Sequence, residues 1–208
     1  CGTQDPVHPI SIIPRGMAGG YTMHLPTEDR TYQSRDEMRE ELVVLLGGRV
    51  AEALVLDDIS TGASNDIERA TKIARAMVTK YGMSDKLGPI TYGTDDSNPF
   101  LGKEMGHISN YSERTASEID EEIQAIISTA YAKTEKILKD HMDELHRLAG
   151  VLFEKEKVDG VEFQQVMDGN LLPSGMTQQT LGQEPQAWLP QEGQASSQED
   201  PAGSQEQD

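Results

Sequence analysis

The sequence predicts a mainly α-helical domain with a small β-hairpin near its N-terminus and a long helical hairpin in its C-terminal half. Three observations predict it. Apolar residues recur at helical spacing from Met38 to Leu54, from Ile67 to Tyr81 and from Ile119 to Leu138. Capping residues stand just ahead of the first two of these runs. Two short apolar stretches near the N-terminus, divided by Gly19-Gly20, read instead as adjacent strands.

Taken in order, residues 1–9 read as loop, and Ile10-Ser11-Ile12-Ile13 as a strand ended by Pro14-Arg15-Gly16. Tyr21 to Leu25 alternates as a second strand before Pro26. Ser34 and Glu37 form a capping box for a helix that buries Met38, Leu42, Leu45, Leu46, Val50, Ala53 and Leu54 on one face. Gly47-Gly48 lies inside that helix. Each interior glycine costs about 1 kcal/mol against alanine, so the pair predicts close approach of another element. Next comes Ser60-Thr61-Gly62-Ala63-Ser64-Asn65-Asp66, a run of turn and cap residues. Asn65, with Glu68 three residues on, predicts a second capping box and a helix to about Tyr81, stopped by Gly82.

Residues 83–111 read as irregular, with Ile90 to Tyr92 as a short strand; a long loop of this kind lines a passage to a site or packs between subunits. From about Ser112 to Asp140 the pattern is helical, with a break near His141. A further helix carries Leu145, Leu148, Ala149, Leu152 and Phe153, and another starts at Asp159. His141 and His146 are five apart, share no helical face, and read as solvent-facing or hydrogen-bonded. From Asn170 there is no Lys or Arg, and Gln, Glu, Gly, Ser and Pro dominate. Residues 170–208 therefore read as a disordered acidic tail, with Trp188-Leu189 as a short docking motif at most.

The bulk numbers narrow the function. At 208 residues the chain is long enough for one domain with an appendage. A net charge of −18 excludes duplex nucleic acid as a partner, because phosphate binding needs clustered Lys and Arg. One cysteine excludes an internal disulfide and fits a reducing compartment. No apolar run reaches the roughly 20 residues of a membrane span, and no signal peptide is visible. The first residue is Cys1, which predicts a processed product or part of a longer gene.

Asp66 falls in the first turn of its predicted helix, where the dipole favours a carboxylate. It reads either as an ordinary N-terminal acid or as a fixed carboxylate suited to a metal. The surrounding motifs favour the second reading. Ser-Thr-Gly-Ala-Ser-Asn-Asp-Ile, with Leu-Leu-Gly-Gly-Arg-Val-Ala-Glu upstream and Met-Val-Thr-Lys-Tyr-Gly-Met-Ser downstream, resembles the peptidase domain of FtsH-type AAA+ zinc metalloproteases. Ile-Ile-Pro-Arg-Gly, Gly-Tyr-Thr-x-x-Leu-Pro and Leu-Gly-Pro-Ile-Thr-Tyr-Gly extend the resemblance, which covers roughly residues 5–168. It implies that Asp66 is the third zinc ligand. The other two would be histidines of a His-Glu-x-x-His helix, whose glutamate is the general base.

No His-Glu-x-x-His occurs in the sequence; His8, His24, His107, His141 and His146 are its histidines, and none precedes a glutamate. The chain thus resembles the larger, C-terminal part of the domain, residues 1–169, with no catalytic residue of its own and inactive alone. The resemblance also implies that Gly47 and Gly48 face a groove where the metal-binding helix would pack. Glu52 and Asn65 become residues that orient a ligand from behind, though Arg49 and Glu52 read equally well as an intrahelical charge pair. Gly20, Tyr21, Thr22 and Met23 become an edge strand for substrate, or else an ordinary hairpin. For the parent protein it implies zinc, polypeptide substrates, ATP through a separate ATPase domain, a homo-hexameric ring and a membrane anchor with the peptidase domain in the cytoplasm; this chain itself reads as soluble. A noncatalytic ring-assembly module that lost the chemistry is the alternative.

Overall fold

A computed structural model describes residues 6–14, 19–24, 32–56, 58–93 and 111–174. Among them are five helices and three short strands. β1 (Val7–Ser11) and β2 (Tyr21–His24) pair antiparallel, and β3 (Lys157–Val158) joins the other side of β1. The helices are α1 (Arg35–Val55), α2 (Ser64–Thr79), α3 (Glu113–Asp140), α4 (Met142–Lys155) and α5 (Gly160–Met167).

The helix starts follow from local chemistry. Ser34 accepts from the Glu37 amide while Glu37 reaches back to the Ser34 amide, the expected capping box. Ser112 accepts from the Thr115 amide at the head of α3. Asp159 accepts from Val161 and Glu162 at the head of α5, and Glu162 closes a second capping box. Gly82, at φ +59°, turns the chain after α2 as its position predicted; a side chain there would also strike Pro89.

Two separate sets of buried residues hold the fold. Met38, Leu42, Leu46 and Val50 of α1 pack with Ala70, Ala74, Met77 and Val78 of α2 and with Ile119, Ile123 and Ala130 of α3. The second set is small: Val151, Leu152, Val158 and Val166, with Ile10, Phe163 and Leu171 against them. The break near His141 falls where expected, but α4 then packs on α5 and β3. α1–α3 form one unit and the sheet with α4 and α5 another, joined at the α3–α4 corner.

Several expectations are corrected. β1 begins at Val7 inside the predicted loop and ends at Ser11, so Ile12 and Ile13 lie beyond it and are exposed. Ile90 to Tyr92 forms no strand; Tyr92 turns its ring edge-on to Tyr111 and donates its amide to the Thr79 carbonyl. Tyr81 and Phe153, placed on apolar faces by periodicity, are 50% and 68% exposed. Each sits at a helix end, where the pattern outlasts the packing. The folded part runs on through Asn170, where the tail was expected to begin, to Ser174: Pro173 is buried against Gly150, and Ser174 donates to Glu154. His107 and Trp188-Leu189 lie outside the described residues.

Candidate metal-ligand site

α2 does not start as its sequence predicted. Asn65 is not the cap: Ala63 occupies that position, makes no side-chain bond, and leaves Asn65 exposed inside the first turn. Glu68 pairs with Lys72 instead of closing a box. The reason is the turn before it, in which Ser64 donates its amide to the Thr61 carbonyl and draws the helix start back to Ser64. Asp66 still lies in the first turn and is half-buried. It shares a face with Ala70, Ile73 and Met77, at spacings of four, seven and eleven residues, and this face looks into the helical core. Among the described residues no side chain pairs with its carboxylate.

α1 runs alongside. Glu41 lies 3.7 Å from Arg69, and Glu52, eleven residues on, accepts from Ser60 just before α2. The two helices are therefore antiparallel, and Gly47-Gly48 lies between those tie points. A Cβ added at either glycine would meet nothing within 4 Å, which fits the groove expected beside them. Val44, Gly48, Ala51 and Val55 line one face of α1, and Val44 and Val55 are 42% and 43% exposed. α1 is thus apolar on the face away from its own core, the pattern of a helix that is covered on both sides.

Glu52 does not reach Asp66. Its Oε1 accepts from Ser60 Oγ at 2.6 Å and its Oε2 from the Ser60 amide at 3.1 Å. The Ser60 hydroxyl bond first, then the Ser60 amide, hold the Glu52 carboxyl below its ordinary pKa; burial opposes them, and the Arg49 charge adds the least. Arg49 Nη1 lies 3.6 Å from Glu52 Oε2, close enough for charge attraction and too far for a hydrogen bond. That nitrogen is buried and has no hydrogen-bond partner among the described residues. Arg49 and Glu52 do form the intrahelical pair that their spacing allowed, and Glu52 also ties down the loop ahead of α2, which spacing along one helix could not show.

At the other end of the chain, β2 is the outer strand of the described sheet, next to β1. Thr22 faces Ile10 and Tyr21 faces Ser11 across the ladder. Gly20 is required there, because a Cβ would stand 2.6 Å from the Ser11 carbonyl oxygen. Thr22 and Met23 are exposed and Tyr21 is half-buried. His141 is exposed beside Glu144, and His146 is half-buried and engaged with a neighbour. Among the described residues no group of three His, Cys, Asp or Glu is placed to hold a metal ion. Asp66 fits one corner of a zinc site, as an available and partly desolvated oxygen donor. One donor does not make the site, since zinc takes three protein ligands in catalytic centres.

The helical core, the inward-facing Asp66 and the uncovered α1 face describe a helical domain with one face left open among the described residues. The model of Peptidase family M41 matches residues 1–166, and the chain belongs to that family. It is 61% identical over 164 residues to the ATP-dependent zinc metalloprotease FtsH 1 of Thermoanaerobacter, covering 79% of this chain and 27% of the relative. Against the ATP-dependent zinc metalloprotease FtsH of Caldicellulosiruptor bescii the figures are 61% over 163 residues, 78% and 26%. Against that of Thermotoga maritima they are 48% over 164 residues, 78% and 27%. The chain spans about a quarter of the length of these curated relatives. No described helix is long and apolar enough to cross a membrane.

Proposed function

We propose that these residues form part of an ATP-dependent zinc metalloendopeptidase that degrades unfolded or membrane-derived polypeptides. The observation that carries this reading is Asp66: a half-buried carboxylate at the head of an inward-facing helical stripe, with no described partner, beside a helix whose Gly47-Gly48 face is open. A helix bearing His-Glu-x-x-His, packed on Val44, Gly48, Ala51 and Val55, would cover that face and bring two imidazoles to the third ligand. Zinc held by such a set supplies a water of pKa about 7 and a polarised carbonyl. This chain contributes Asp66, and β2, an outer strand along which an extended peptide would add from Gly20 to Met23. Asn65, exposed beside Asp66, belongs to the same helix start and has no bond of its own to the site.

In the parent protein, ATP is used by a separate domain that unfolds and feeds the substrate, the peptidase domains assemble as a hexamer, and a segment elsewhere anchors the protein in a membrane with the peptidase domain in the cytoplasm. The 208 residues by themselves hydrolyse no peptide. The test is an assay of casein cleavage with added zinc, on this chain and on a protein extended upstream by a His-Glu-x-x-His segment. Cleavage by the extended protein alone, abolished by chelator, is the expected result. Chelator-sensitive cleavage by the short chain refutes the reading. An inert extended protein that binds zinc and still assembles favours the noncatalytic assembly module.

A further inference from the structure

We infer that Ser60 is a positioning residue that sets where Asp66 stands, by fastening the start of α2 to α1 through Glu52. The role rests on Asp66 being a ligand, as proposed above. α1, α3 and α5 each begin on a side-chain cap, whereas α2 begins on Ala63 with none. Apolar burial does not hold the preceding loop either: Leu56 and Ile59 are 67% and 59% exposed. Hydrogen bonds hold it instead. Ser60 donates its hydroxyl to Glu52 Oε1 at 2.6 Å and its amide to Glu52 Oε2 at 3.1 Å, while its hydroxyl oxygen accepts the Gly62 amide at 3.1 Å. Ser64 then donates to Thr61, and Asp66 follows two residues on. A charged acceptor makes the Glu52 bonds the strong members of this chain. Gly62 closes over the joint, since a Cβ there would stand 3.2 Å from Ser60 Oγ. Position 60 needs a hydroxyl that donates and accepts at once; threonine offers one and alanine does not.

The test has two readouts. In the 208-residue chain, Ser60→Ala should speed amide hydrogen exchange at Gly62 and Ser64 about tenfold, as loss of one ordinary hydrogen bond would. Exchange in the later turns of α2 should stay unchanged, and Ser60→Thr should restore protection. Glu52→Gln should act at the same amides, and the double variant should add little to either single one. In the protein extended by the His-Glu-x-x-His segment, Ser60→Ala should weaken zinc binding about 10- to 100-fold, the usual effect of losing a group behind a ligand. Ser60→Thr should bind near the parent value, and neither variant should shift the Tm of the zinc-free protein. Unchanged exchange in both Ser60→Ala and Glu52→Gln overturns the clamp. Faster exchange with unchanged zinc affinity overturns the positioning role, while loss of zinc in Asp66→Ala keeps the ligand reading standing. Zinc binding unaffected by Asp66→Ala removes both. If Ser60→Ala does not fold, Glu52→Gln reads the same amides.

Discussion

Around α1 the structure buries long aliphatic side chains from three helices: Leu42, Val50, Met77, Val78 and Ile119 are at most 1% exposed. Around β1 it buries Val151, Leu152, Val158 and Val166, and little else. The second unit makes up the difference with polar ties. Arg147, its side chain 7% exposed, donates to the carbonyls of Val166 and Met167 and so holds the end of α5 against α4. Lys155 reaches Glu162, and Ser174 donates to Glu154. Where apolar area is ample, packing alone fixes the elements; where it is scarce, buried donors and caps must fix them. The same contrast divides the proposed chemistry, with Asp66, the proposed ligand, on the well-packed unit and β2, the proposed substrate strand, on the sparsely packed one.

This contrast can be broken by mutation. Leu42→Ala should cost about 2–5 kcal/mol by leaving a cavity, and denaturant unfolding should show α1–α3 lost together. Arg147→Met should cost about 2–3 kcal/mol by orphaning two carbonyls, with faster amide exchange at Val158 and Val166 and little change in α1–α3. Equal loss of protection in both units would show a single cooperative body instead. Glycines sharpen the comparison. At Gly150 a Cβ would lie 2.8 Å from Pro173 Cγ, so Gly150→Ala should destabilise by about 1 kcal/mol. Gly48→Ala meets open space and should stabilise this chain by up to about 1 kcal/mol, yet weaken zinc binding in a protein that carries the docked histidine helix.

The smallest expected effect is a pH dependence. Lys155, then the Asp159 amide, hold the Glu162 carboxyl below its ordinary pKa. A depressed carboxylate adds stability that is fully present above its unfolded pKa, near 4.3, and fades as pH falls through the lower folded value. Acid unfolding below about pH 4.3 should therefore loosen the sheet unit, and Glu162→Gln should flatten that part of the profile.

Local structure is what these residues make most legible. Ser34, Ser112 and Asp159 announced their helices because a cap and its amides lie within three residues of each other. Gly82 announced the end of α2 for a similar reason. The place of Asp66 in the first turn of α2 was legible from the turn and cap residues ahead of it. What escaped was tertiary. β3 is two residues long, too short for any periodicity, and forms only because α4 delivers it to β1. The role of Arg147 was not legible, because nothing local shows that the carbonyls of Val166 and Met167 lie against it. Ser60 and Glu52 are eight apart across a loop, so neither hinted at the other. Asn65 was a poor choice of cap because the Thr61–Ser64 turn outcompetes it.

The most direct measurement is the zinc dissociation constant of the domain carrying the His-Glu-x-x-His segment, with aspartate and with alanine at position 66, by competition with a chelating dye. Tight binding by the first is expected, with loss of at least about two orders of magnitude in the second, since removing one of three protein ligands undoes the coordination set. Equal affinity in the two proteins would contradict the ligand role of Asp66.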